Sequence, residues 1–194
     1  GTLYTLAELE AIRKVCTKYD MPLFIDGARL GYALTAIGND VALEDIARIA
    51  DVFYIGGTKV GAMFGEAVVF THGNMPKNFV TLVKQHGALL AKGWLLGVQF
   101  DTLFTDDLYC RIARHANDAA DRIREVLVER GYTLTFDAPT NQIFITLDNA
   151  TSGRLQRNVR LGFMEKADDT HTVMRICTSW ATTDEQVEQL IALL

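Results

Sequence analysis

The chain has 194 residues, 49% of them apolar and 22% charged, a balance that excludes a disordered or low-complexity protein and allows one large domain or parts of two. A formal net charge of −5, with Lys and Arg scattered rather than striped, excludes a dedicated nucleic-acid surface. No apolar run approaches the roughly 20 residues that span a bilayer, no signal-peptide pattern opens the chain, and Cys16, Cys110 and Cys177 match neither a disulfide framework nor a metal site, so a reducing, cytoplasmic setting is expected.

The first residue is not methionine, and Gly1-Thr2-Leu3-Tyr4 leads straight into a helix, so the chain reads as starting within a domain. Thr5 with Glu8 forms a capping-box pattern, and Leu6, Leu9, Ile12, Cys16 and Tyr19 then recur at helical spacing, which predicts a helix over 6–19. Asp20-Met21-Pro22 stops it, and a buried strand is expected from Leu23 to Ile25, ending at Asp26. The logic repeats: Leu43, Ile46, Ala47, Ile49 and Ala50 mark a helix, and Val52 to Ile55 the next strand. Helices alternating with near-continuous apolar strands point to a parallel sheet covered on both faces, with Glu66 to Phe70 as one more strand and the remainder expected upstream.

From Pro76 to Phe104 the pattern is helical and apolar nearly all round, interrupted by Gly87, Gly93 and Gly97, which suits burial in a core or an interface. Residues 107–130 read as an amphipathic charged helix stopped by Gly131. Strands follow over 132–136 and 142–147, a short helix over 152–160, a strand over 173–178 and a helix over 183–194. This is a small α+β domain after a larger α/β one, with the division placed at 105/106.

Asp26 and Lys59 each lie just past an apolar strand, and in an open parallel sheet ligands bind at the carboxyl ends of the strands. A carboxylate and an amine converging there suit pyridoxal phosphate, whose aldehyde needs a lysine and whose ring nitrogen needs an anion. The plain alternatives are an ordinary loop lysine and a helix N-cap aspartate. Gly56-Gly57-Thr58-Lys59 is not a phosphate-binding P-loop, because Val60 stands where that motif needs Ser or Thr. His72, His86, His115 and His171 have no metal-ligand spacing. His115 reads as solvated and His86 as an interface residue.

Ile25-Asp26-Gly27-Ala28-Arg29, Tyr54-Ile55-Gly56-Gly57-Thr58-Lys59 and Val173-Met174-Arg175-Ile176-Cys177-Thr178 together resemble the threonine aldolase and β-eliminating lyase branch of fold type I pyridoxal-phosphate enzymes. The resemblance implies an aspartate-aminotransferase-like α/β architecture, with residues 1–105 as the C-terminal part of the large cofactor-binding domain and 106–194 as the small α+β domain. It implies that Lys59 forms the Schiff base, that Asp26 pairs with the ring nitrogen, that Ala28 packs on the ring and that Thr58 offers a hydroxyl to the phosphate. Arg29 and Arg175 would bind the substrate carboxylate, as a planar guanidinium can do bidentately. For Arg175 the plain alternative is an outward-facing surface residue. The implied reaction is cleavage of threonine or allo-threonine to glycine and acetaldehyde by a homodimer or homotetramer acting on a small amino acid, with no metal, nucleic acid or membrane partner. Another fold type I activity, aminotransferase or β-eliminating lyase, and a non-catalytic fragment serving oligomer assembly are the alternatives. In the family, the phosphate cradle, the aromatic stacked on the other ring face and a catalytic His come from an upstream half of the large domain that this sequence does not contain.

Overall fold

The computed structural model describes residues 1–194. They form two compact units: Tyr4–Leu34 with Asp40–Arg111, and Gly1–Leu3 with Thr35–Asn39 and Ile112–Leu194.

In the first unit the opening helix α1 (Leu6–Lys18) starts at the expected capping box. Thr5 Oγ1 accepts the Glu8 N–H at 3.3 Å, and the Glu8 carboxylate accepts the Thr5 N–H at 2.8 Å. Asp20, at φ +52°, turns the chain out of the helix toward Pro22. Strand β1 (Phe24–Ile25) follows, then a five-residue helix α2 (Leu30–Leu34) that hydrophobic periodicity did not reveal, then α3 (Leu43–Ile49) and β2 (Val52–Gly56). β1 and β2 pair in parallel, Phe24 with Val52 and Ile25 with Phe53.

Strand β3 (Glu66–Phe70) departs from the all-parallel expectation: it pairs antiparallel to β2, from Val52 with Phe70 to Gly56 with Glu66. A parallel return needs a crossover of a dozen or more residues, and the short Gly57–Gly65 segment has no room for one. The sheet is also not covered on both faces within this chain. Phe53 and Ile55 are buried on one side, whereas Phe24 is 59% and Val68 49% exposed on the other.

The apolar stretch after Pro76, expected to lie in a core or an interface, is largely uncovered within this chain. It forms α4 (Phe79–Gln85), ended by Gly87 at φ +72°, and α5 (Trp94–Phe104). α4 buries no side chain and α5 buries Leu103, whereas Val80 is 58% and Trp94 65% exposed.

Asp51 pins this unit together. Its Oδ2 accepts the Arg13 guanidinium of α1 at 2.5 Å and the Leu23 N–H, just before β1, at 2.7 Å. These donors, the backbone N–H first, hold the carboxyl below the ordinary aspartate range. Asp51→Asn is expected to destabilise the protein by about 1.5–3 kcal/mol near neutral pH, the usual worth of a hydrogen bond to a charged group. Because the folded value is depressed, this contribution is complete above the ordinary aspartate value of about 4 and fades as pH falls through the folded one. Chemical denaturation of both proteins as a function of pH checks it: a gap that persists unchanged into strong acid would disprove the linkage.

The long helix α6 (Leu108–Glu129) runs into the second unit. There Ala119 and Ala120, followed by Ile123 and Leu127 at spacings of three or four, form its buried stripe. The sheet beneath has the order β4 (Thr133–Leu134), β5 (Gln142–Asp148), β7 (His171–Cys177), β6 (Gly162–Lys166), antiparallel throughout. Ile143, Ile145 and Leu147 of β5 and Met174 and Ile176 of β7 face the α6 stripe, joined by Leu155 of α7 (Asn149–Leu155) and Val187 of α8 (Asp184–Leu193). α7 starts earlier than its periodicity predicts because Asp148 caps it, accepting the Ala150 and Thr151 N–H groups at 2.9 Å each. β6 carries no sequence signal: it is a bulged edge strand with Phe163 to Lys166 exposed, so no face of it had to be apolar.

Candidate active site

The parallel register of β1 and β2 brings two short, chemically loaded turns to one sheet edge. Asp26 follows β1, Lys59 follows β2, and the Lys59 charge acts on the Asp26 carboxylate. Both side chains are exposed. The turns fit against each other because they are glycines: a Cβ on Gly27 would lie 1.8 Å from the Tyr54 carbonyl oxygen, and one on Gly56 2.3 Å from that of Ala28. The Gly56 N–H donates to the Gly27 carbonyl at 2.8 Å and closes the junction.

Asp26 has neither an arginine ion pair nor a helix to cap, since α2 begins only at Leu30. Its Oδ1 accepts the Tyr54 hydroxyl and, at 3.0 Å, the Ala28 N–H. The tyrosine bond is the main reason the carboxyl lies below its ordinary value. The Ala28 bond comes next, and the positive charges of Lys59 and Arg29 add to it. In return the carboxylate, aided by partial burial and by Glu66, pushes the Tyr54 phenol up to about 12.

The lysine-bearing turn is held by groups other than the lysine. The Glu66 carboxylate, at the start of β3, accepts the Gly57 N–H at 2.6 Å and the Thr58 hydroxyl at 3.3 Å. The Tyr32 hydroxyl of α2 donates to the Lys59 carbonyl. Buried Tyr109 donates to the Gly56 carbonyl at 2.9 Å and accepts the Gly31 N–H at 3.1 Å. Ala28 and Arg29 are half-buried beside Asp26, and Thr58 is exposed with its hydroxyl on Glu66.

Arg175 belongs to the other unit. It is half-buried on β7, opposite Phe144 and Gly162, and its Nη1 donates to the Oε1 of buried Gln142 at 3.3 Å. His115 is exposed yet hydrogen-bonded to the Thr182 carbonyl at 2.7 Å, so it is not simply solvated. His86 ends α4, and His171 pairs with Asp168 at 3.1 Å.

Tyr54, Glu66, Tyr32 and Tyr109 were not singled out from sequence. A signal existed for Tyr54. Once β1 and β2 are set in parallel with Phe24 beside Val52, Asp26 falls beside Tyr54 on the same face. The other three act through a chain reversal and a helix that no local pattern announces.

A mixed α/β unit with its reactive side chains at the carboxyl ends of parallel strands, followed by a small α+β unit, is the architecture of fold type I pyridoxal-phosphate enzymes. Serine palmitoyltransferase from Sphingomonas wittichii shares it, with a TM-score of 0.66 at 18% identity, covering 95% of this chain and 49% of that one. The chain belongs to the beta-eliminating lyase family, which matches residues 1–150. Threonine aldolase from Leishmania major superposes with a TM-score of 0.95 at 41% identity, covering 100% of this chain and 56% of that one. Low specificity L-threonine aldolase from Pseudomonas aeruginosa is 30% identical over 191 residues, which are 98% of this chain and 54% of the relative. The chain thus spans about half the length of the curated relatives it matches.

Proposed function

We propose that the protein is a pyridoxal-phosphate-dependent aldehyde lyase that cleaves the Cα–Cβ bond of threonine and allo-threonine, releasing acetaldehyde and glycine. The observation that carries this reading is the shared strand-end edge of Asp26 and Lys59, in a chain 41% identical over its whole length to the threonine aldolase of Leishmania major.

The donor set suits the cofactor. An ionised carboxylate with Oδ1 occupied by protein donors keeps Oδ2 for a ring N–H, and an exposed amine lies on the same edge. When bound, pyridoxal phosphate supplies an electron sink that accepts the carbon electron pair released by bond cleavage. Lys59 would hold it through its amine and Asp26 through the ring nitrogen. Ala28 would pack its methyl on the ring, and Thr58 would turn its hydroxyl to the phosphate. Arg29 and Arg175 would bind the amino-acid carboxylate, a bidentate contact that sets which Cα bond is aligned for cleavage.

The free thiols of Cys16, Cys110 and Cys177 support a reducing, cytoplasmic setting, and no helix is long and apolar enough to cross a membrane. The open apolar residues of α4 and α5 support assembly as a homodimer or homotetramer.

Two measurements test the reading. Borohydride reduction of the protein with pyridoxal phosphate, followed by peptide mapping, is expected to place a phosphopyridoxyl adduct on Lys59. Product analysis with threonine is expected to give glycine and acetaldehyde in equal amounts. A keto acid instead would move the assignment to β-elimination or transamination, and labelling spread over surface lysines would dismiss the site.

A further inference from the structure

Asp26 offers its two oxygens unequally. Both protein donors that reach the carboxylate, the Tyr54 hydroxyl and the Ala28 N–H, go to Oδ1, and no protein donor engages Oδ2. The tyrosine is placed for this by the sheet itself. The parallel register sets position 26 beside position 54, alternation puts both side chains on the same face, and the Tyr54 ring is steadied there against Phe24, with centroids 6.1 Å apart.

We propose that Tyr54 is a positioning residue for Asp26: by occupying Oδ1 it fixes the carboxylate, keeps it ionised, and reserves Oδ2 as the acceptor for the protonated ring nitrogen of pyridoxal phosphate. The inference rests on the cofactor assignment above and names the group on which that assignment depends. A carboxylate on a two-bond side chain is free to rotate at an exposed site, and one committed oxygen removes that freedom before the cofactor arrives, so less ordering is left to be done on binding. The phenol suits the task, since its bond to the carboxylate itself raises its pKa to about 12 and it remains a donor across the physiological range. The other charges bearing on the pair are Lys59 and Arg29, which favour the same anionic carboxylate, and Glu66, which acts on the tyrosine and disfavours its ionisation.

The test is Tyr54→Phe, which keeps the ring on β2 and its contact with Phe24 and removes only the hydroxyl. In the cofactor-free protein, carbon-13 NMR of the Asp26 carboxyl should show its titration midpoint rising by about one to two pH units, the equivalent of one charge-assisted hydrogen bond. In the loaded protein, Tyr54→Phe should weaken pyridoxal phosphate binding about tenfold, and do so hardly at all in an Asp26→Asn background, because a residue acting through Asp26 has nothing left to act on. An unmoved Asp26 titration, or losses from the two substitutions that simply add, would overturn the proposal. A raised midpoint with cofactor affinity untouched by Tyr54→Phe would overturn it as well. If Asp26→Asn were then equally silent, the cofactor assignment itself would fall, which separates the two failures.

Discussion

Lys59→Ala is expected to cut turnover by about a thousandfold or more and to abolish the phosphopyridoxyl adduct, while leaving the thermal midpoint of the cofactor-free protein unchanged. The two halves of this expectation come from different atoms. The Lys59 side chain is exposed, so its loss removes no packing. The turn that carries it is held by backbone and neighbours: Glu66 on Gly57 and Thr58, Tyr32 on the Lys59 carbonyl, and Val60 and Ala62 N–H groups on the Gly57 carbonyl at 2.9 and 3.0 Å. Single-turnover kinetics, cofactor absorbance and calorimetry on one preparation check it. Substantial residual activity with an unaltered cofactor spectrum would remove Lys59 from the mechanism, and a large drop in thermal midpoint would mean that the loss is one of folding.

Gly27→Ala is expected to be the most damaging single-methyl change in the first unit. The added Cβ would sit 1.8 Å from the Tyr54 carbonyl oxygen and 3.0 Å from its carbonyl carbon. Those atoms belong to the central strand, so no side-chain rotation relieves the overlap. β1 and β2 must part at their carboxyl ends, which strains the 2.8 Å Gly56 N–H to Gly27 carbonyl bond and moves Asp26 away from Tyr54. A cost of about 3 kcal/mol is expected, the upper end of ordinary overpacking, with cofactor affinity lost in step. Gly153→Ala on α7, where an added methyl has nothing within 4 Å, is the matched control and should be neutral or slightly stabilising. Equal denaturation midpoints for the two variants would show that the junction yields more readily than its geometry indicates.

Both expectations concern a site whose end-groups are visible in the sequence and whose supports are not. Asp26 and Lys59 stand out because the end of an apolar strand is a local feature, readable from Phe24-Ile25 and Val52 to Gly56 alone. Tyr54, which holds the aspartate, lies inside a strand and looks like one more aromatic until the register is known. Glu66 reaches Gly57 only because β3 turns back beside β2.

The same division runs through the fold. What the sequence by itself determined are the elements whose signals are short-range: α1 with its capping box, α8, the α6 stripe closed by Gly131 at φ +78°, and the strands β2, β5 and β7. Side chains three or four residues apart, or two apart, already declare which face they will bury. Tertiary structure alone decided the direction of β3, the bulged edge strand β6, the exposure of Val80 and Trp94, and Tyr54 as the hydrogen-bond partner of Asp26. Each of these depends on which strand lies alongside or what covers a face, and such long-range pairings leave no period in the chain that forms them.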